Sequence, residues 1–150
     1  MNQAVAIDPA EHPSDQEEGC LFCQFTDRSL NRVLEETAHF YARWDNYPAA
    51  KGHVEIAPKK HMLSFFDLNP DDLKEMYGLM SVVKSRLEEK YQPNGYTIGV
   101  NDGRAAGRTV DHLHIHLIPR YTGDVTDPRG GVRRILPNCD PDSWSSPGRA

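Results

Sequence analysis

Residues 111–118, Asp-His-Leu-His-Ile-His-Leu-Ile, constrain this chain more than any other stretch. His112, His114 and His116 alternate there with Leu113, Ile115 and Leu117. Successive side chains of a strand point to opposite faces. The segment reads as a strand with one aliphatic face for a core and one face of three imidazoles. Whatever covers the aliphatic face must leave the histidine face on the other side. Imidazole changes charge nearest neutral pH and serves as nucleophile, proton donor or metal ligand. A packed sheet gains nothing from three in a row, so the pattern points to chemistry. The internal position and interleaved apolar residues do not fit an expression tag.

The surrounding chain supplies the rest of an α+β domain. His39–Asp45 reads as a strand in which Phe40, Ala42 and Trp44 alternate with Tyr41 and Arg43. Residues 46–52 (Asn-Tyr-Pro-Ala-Ala-Lys-Gly) carry turn chemistry, and His53–Ala57 gives a second strand closed by Pro58. Antiparallel pairing through that loop is expected. Asn69-Pro70-Asp71-Asp72 opens a helix, with Asn69 as N-cap and Pro70 at the first helical position. Leu73, Met76, Tyr77, Met80, Val83, Leu87 and Tyr91 follow at three- and four-residue spacing, a core-facing stripe. Residues 92–95 stop the helix, Tyr96–Asn101 forms the next strand, and 111–120 the last. A short helical turn is expected within Cys20–Ser29. The sequence predicts an antiparallel sheet with the helix on one face.

A length of 150 residues suits one compact domain, and 26% charged against 38% hydrophobic residues predicts a modest core. Residues 1–18 are acidic and proline-bearing and are read as a disordered tail. Residues 122–150 are a Pro- and Gly-rich extension. A net charge of −5 disfavours a nucleic-acid groove while leaving room for a small phosphate site. With no secretory leader and no long apolar run, the expectation is a cytoplasmic protein without membrane or nucleic-acid partners. In a reducing compartment, Cys20-Leu-Phe-Cys23 reads as a metal or redox pair rather than a disulfide, and Cys139 as a bystander.

Residues 102–108, Asp-Gly-Arg-Ala-Ala-Gly-Arg, form a glycine-bearing loop joined directly to the histidine segment. Backbone N–H groups near Gly107, the Thr109 hydroxyl and the charges of Arg104 and Arg108 suit phosphate oxygens. Residues 106–120, from Ala106-Gly107-Arg108-Thr109 through the three histidines to Pro119-Arg120, resemble the signature of the histidine triad (HIT) superfamily. Pro58-Lys59-Lys60-His61, Phe66-Asp67-Leu68, Gly52-His53 and the Cys-x-x-Cys start resemble it too. The likeness covers residues 19–121, taken as the HIT domain, and is greatest to the bacterial dinucleoside polyphosphate hydrolases, with the adenosine phosphoramidases close behind.

The resemblance implies a sheet of about five strands and a nucleotide hydrolase or transferase. His114 would attack an α-phosphate, form a nucleotidyl-histidine and be released by water or another acceptor. A backbone carbonyl on its other ring nitrogen would set its tautomer. His116 would bond phosphoryl or leaving-group oxygens, and Thr109 and Gly107 would hold non-bridging oxygens, with no catalytic metal required. Asp45 corresponds to a ribose-binding position, and His53 and Asn101 to pocket-lining ones. Arg108 replaces the glutamine common in the hydrolase branch, and an extra cation there would favour longer polyphosphates. Cys20, Cys23, His61 and His112 match a structural zinc set. A homodimer is implied, with Tyr77 and Met80 as contact candidates.

Other readings stay open on the sequence. Asp45, His53 and Asn101 also fit turn, packing or capping roles, and Cys20 and Cys23 fit two buried thiols. Arg129, Arg133 and Arg134 are either a solvated surface or a reach toward distal phosphates, and Trp144 is a candidate cap on a partner's pocket. A metal-dependent hydrolase with all three histidines as ligands is the second functional reading. A nucleotide-binding module without turnover is the third.

Overall fold

A computed structural model describes residues 16–138. Cys139, Trp144 and most of the acidic tail lie outside the described residues. The elements are β1 (Val33–Glu36), β2 (Phe40–Trp44), β3 (Val54–Pro58), α1 (Pro70–Tyr91), β4 (Gly95–Gly99) and β5 (Ile115–Arg120). The strands form one antiparallel sheet in the order β1-β2-β3-β5-β4. This is the α+β architecture the sequence predicts, with five strands.

Residue parity explains the two faces. Phe40 and Ala42 of β2, Val54 and Ile56 of β3, and Leu113, Ile115 and Leu117 all turn one way. They pack against Met76, Leu79, Val83 and Leu87 of α1. Full burial of each such aliphatic side chain contributes about 1.5–3 kcal/mol. The opposite face carries Tyr41, Arg43, Glu55, Ala57 and the histidines, covered in part by Phe22. The histidine face is thus the one the helix does not cover, as expected.

The helix begins where its capping chemistry dictates. Asn69 Oδ1 accepts from the N–H groups of Asp71 and Asp72, and Asp72 reciprocates on the Asn69 N–H. Gln92 ends it in the left-handed conformation. The stripe differs from expectation in detail. Leu79, outside the predicted stripe, is buried, whereas Tyr77 is 70% exposed. Met80 packs at the core's edge.

Two elements depart from the sequence reading. β1 carries no alternating signal, being four residues long with a register shift between Val33 and Glu35. β5 starts at Ile115, not at residue 111. The His112 N–H bonds the Val110 carbonyl at 2.8 Å and the Leu113 N–H bonds Met62 at 2.7 Å. Those bonds divert the backbone away from β3 while the side chains keep their alternation. Residues 20–29 form successive turns, with the expected helical turn closed by the Gln24 N–H on the Cys20 carbonyl at 3.3 Å, and Asn31 holds them, its side chain donating to the carbonyls of Leu21 and Gln24 at 2.9 Å each. Beyond β5, a short 3-10 turn at Gly131–Ile135 packs near β4. Among the described residues, no helix is long and apolar enough to cross a membrane.

Glu75 ties α1 to the β1–β2 turn. It accepts from the Thr37 hydroxyl at 2.5 Å and the His39 N–H at 2.7 Å, and pairs with the His39 ring at 2.8 Å. The Thr37 bond, followed by those of His39, holds its carboxyl down at about 2. A depressed carboxyl stabilises the fold above its ordinary value of 4.5 and loses that contribution as pH falls toward 2. Glu75→Ala is therefore expected to cost about 1–3 kcal/mol in urea unfolding at neutral pH. The deficit shrinks as both proteins are unfolded at successively lower pH.

Candidate functional site

The N-terminal turns deliver two thiols to the histidine face. Cys20 Sγ lies 3.4 Å from His112 Nδ1, and Cys23 Sγ lies 3.4 Å from His61 Nδ1 and 3.5 Å from His112 Nδ1. All four ligand atoms lie within 4.8 Å of one another. Both imidazoles have their far nitrogen engaged. His112 Nε2 donates to the Pro58 carbonyl at 2.9 Å, and His61 Nε2 meets Glu17 at 2.8 Å. Each ring thus turns the lone pair of Nδ1 toward the sulfurs, the arrangement by which outer partners orient metal-binding histidines. Two thiols and two imidazoles at these separations suit tetrahedral zinc. Burial holds His112 down at about 4, neutral at physiological pH.

His114 is fixed differently. Its Nδ1 donates to the His112 carbonyl at 2.8 Å, so Nε2 carries the lone pair. The backbone-carbonyl contact expected from the sequence is present. Phe22 stacks flat on the ring, with centroids 4.7 Å apart and planes 14° apart. Burial lowers the His114 pKa, which keeps the ring uncharged and nucleophilic.

His116 has the opposite tautomer, and His53 sets it. The Ala49 N–H donates to His53 Nδ1 at 3.0 Å, which puts the proton on His53 Nε2. That proton points at His116 Nδ1, 3.0 Å away, so His116 carries its own on Nε2. Asp45 Oδ2 lies 3.4 Å from His53 Nε2 and 3.8 Å from His116 Nδ1. Its other oxygen accepts from the Tyr47 N–H at 2.6 Å. Burial, then the neighbouring rings of His114 and His53, hold His116 down at about 4. The site therefore presents one bare imidazole nitrogen beside one imidazole N–H. The three triad rings do not converge on one ion. His112 faces sulfur, His114 bonds the His112 carbonyl, and His116 bonds His53.

His114, His116, His53 and Asp45 line a cleft of about 360 Å³ that also includes Asn101, Gly107 and Thr109. Gly107 adopts a left-handed φ of 93° at the end of a short 3-10 turn, beside the Asn101 side chain. Arg108 does not line the cleft. Its guanidinium donates to Asp111 at 3.2 Å and to the Leu63 carbonyl at 3.0 Å, although its charge still reaches His114. Arg129 and Arg134 pair with Asp127, and Arg134 also donates to the Arg129 carbonyl, at the surface of the C-terminal segment.

Sequence reasoning missed several cleft residues, among them Phe22, Arg43 and Glu55. Arg43 is 1% exposed and bonds Glu55 at 3.2 Å. Burial first, then the Asp45 charge, pushes the Glu55 carboxyl up to about 7. The available signal was parity: 43 and 45, like 53 and 55, share the face of the histidines.

Comparison with known proteins agrees with this geometry. The sequence matches the HIT domain over residues 28–123. An uncharacterized HIT-like protein of Methanocaldococcus jannaschii is 41% identical over 108 residues, covering 70% of this chain and 81% of that one. The adenosine 5′-monophosphoramidase HNT1 of Candida albicans is 36% identical over 109 residues, covering 67% and 70%. The bis(5′-adenosyl)-triphosphatase/adenylylsulfatase FHIT of Arabidopsis thaliana is 34% identical over 92 residues, covering 61% and 51%. A Zn-bound histidine triad protein from Mycobacterium smegmatis superposes with a TM-score of 0.65 at 29% identity, covering 73% of this chain and 80% of that one. The fold, the placement of the three histidines and these similarities together make the chain a member of the HIT family.

Proposed function

We propose that the protein is a nucleotide hydrolase or transferase that cleaves dinucleoside polyphosphates, such as diadenosine tetraphosphate, at the α-phosphate. The observation that carries this reading is the pair of opposite tautomers in one cleft. His114 offers a lone pair at Nε2, and His116 offers a proton at Nε2. In the first step the His114 lone pair forms a bond to phosphorus, and the bond to the leaving group breaks with its electrons. His116 protonates what departs. In the second step water attacks the nucleotidyl-histidine and the P–N pair returns to His114. Thr109 and the backbone near Gly107 would hold the non-bridging oxygens. Asp45 would accept from the ribose with the lone pairs its internal partners leave. Asn101 would line the same pocket. Arg108 would act through its charge alone.

The in-class alternative is cleavage of adenosine phosphoramidates, favoured by the similarity to the Candida phosphoramidase. A nitrogen leaving group needs a proton more than a polyphosphate does, and the His116 N–H would supply it. Homodimerisation through α1 and the β4 edge is part of this proposal, where Tyr77 and Ile98 are exposed.

Cys20, Cys23, His61 and His112 would hold structural zinc. When bound, the ion would supply cross-linking rather than chemistry, fastening the turn that carries Phe22 to the segment before β5. One zinc per chain is expected by elemental analysis of protein purified without added metal. Cys23→Ser should lose it together with several degrees of melting temperature. Metal-free wild type, or full retention in the variant, would defeat the zinc assignment.

His114→Ala should lower turnover by at least about a thousandfold while retaining nucleotide affinity. Acid-quenched wild type incubated with labelled diadenosine tetraphosphate should carry label on His114. Turnover that persists in the variant rules out the nucleotidyl-histidine. Chromatographic profiling of polyphosphate against phosphoramidate substrates decides between the two branches.

A further inference from the structure

A ladder of charged groups crosses the sheet beneath the triad. Arg43 on β2 stands directly opposite Glu55 on β3, and Glu55 directly opposite His116 on β5. Side chains so paired on one face lie within reach of each other. One Glu55 oxygen bonds Arg43 Nη1 at 3.2 Å, and Asp45, whose N–H bonds the His53 carbonyl, stands diagonally across from Glu55 on the same face. Glu55 lies within 4.8 Å of ring nitrogens of both His114 and His116. Arg43, Asp45, His53, Glu55 and His114 are all buried.

The charges here do not balance unless a proton is present. Two carboxyls, Asp45 and Glu55, share one bonded guanidinium, Arg43. The imidazoles of His53 and His116 beside the carboxyls are neutral. Tyr41 also faces the pair, and Arg108 contributes charge from the loop side. Two adjacent buried carboxyls with one cation between them retain a proton.

The chain of tautomers shows where that proton can go. His116 starts with its proton on Nε2 and a lone pair on Nδ1. Once Nε2 gives its proton away, Nδ1 must receive one or the ring becomes an anion. The group on Nδ1 is His53 Nε2–H, and the acceptor beside both is Asp45.

We propose that Asp45 and Glu55 hold one proton in common and deliver it, through His53 and His116, to the leaving group. This rests on nucleotidyl transfer to His114 and adds the source of the proton. As the His114–phosphorus bond forms, the His116 Nε2 proton passes to the departing oxygen or nitrogen. The His53 Nε2 proton moves to His116 Nδ1, and the carboxyl pair's proton replaces it on His53. The leaving group gains one proton, the carboxyl pair loses one, and both imidazoles end neutral. Water attack reverses the flow. The His116 Nε2 lone pair takes the water proton, its Nδ1 proton returns to His53, and the pair is reprotonated.

The test compares two nucleoside 5′-phosphoryl substrates of unequal need. One releases 4-nitrophenolate and the other a primary alkylamine. Glu55→Gln keeps the shape and removes the ionisable group. Its loss in kcat/KM should be at least about tenfold greater for the amine than for the nitrophenolate, and Glu55→Asp should recover part of it. Wild-type turnover of the amine substrate should fall as pH rises through about 7, where the raised carboxyl loses its proton, and the Gln variant should lack that limb. Equal losses on both substrates would overturn the proposal and leave Glu55 a structural partner of Arg43. If the Gln variant does not fold, the infrared carbonyl band of a buried protonated carboxyl decides. Its presence in wild type at pH 6, with loss on alkalinisation, supports the proposal, and its absence overturns it. Full turnover by His114→Ala would instead indict the nucleotidyl-histidine step itself.

Discussion

The two-residue period of the strands is the constraint on which the rest depends. On β2 and β3, even positions build the core under α1, while odd positions face the other side, where Arg43 and Glu55 line the cleft and Tyr41 and Ala57 pack under Phe22. The histidine segment reverses the count, with odd residues in the core, His114 and His116 in the cleft and His112 beside the thiols. A one-residue slip of β5 against β3 would send Ile115 and Leu117 into the cleft and His116 into hydrocarbon. The apolar contacts with Met76, Leu79, Val83 and Leu87 penalise that slip strongly, so packing on one face guards chemistry on the other.

The cleft is then refined by protons rather than by charges. Ala49, His112 and Pro58 each engage one ring nitrogen through the backbone, and that choice fixes what the second nitrogen does. Three imidazoles of the same sequence pattern thus come to differ: one turns a nitrogen to the thiols, one leaves a nitrogen bare, and one, through His53, presents an N–H. A carbonyl or amide at the correct end of a ring achieves this without placing a charge on the imidazole itself.

Much of this was legible in the sequence because its signals are local. Asn69-Pro70-Asp71-Asp72 marks the helix start through capping geometry that involves only adjacent residues. The alternation at 112–117 survives even where the backbone leaves the ladder. The zinc-type cluster was legible only through resemblance, since nothing in Cys-x-x-Cys specifies that His61 and His112 will meet it. β1 was illegible because two glutamates and a bulge erase its period. Glu55 was overlooked because one acid in a five-residue strand looks like a solvent-facing residue, and only the cover provided by Phe22 and the neighbouring rows makes it a buried one.

Gly52 closes the loop just before His53 with a φ of +85°, and a methyl group there would stand 3.0 Å from the Tyr91 ring and 3.2 Å from Pro119. The last turn of α1 therefore acts as a gauge for the loop: where Tyr91 sits, the backbone at 52 follows, and the His53 ring with it. Helix packing remote from any ligand is in this way transmitted to the spacing of a proton wire. Small changes in how α1 seats on the sheet would register as altered reactivity well before the molecule lost its shape.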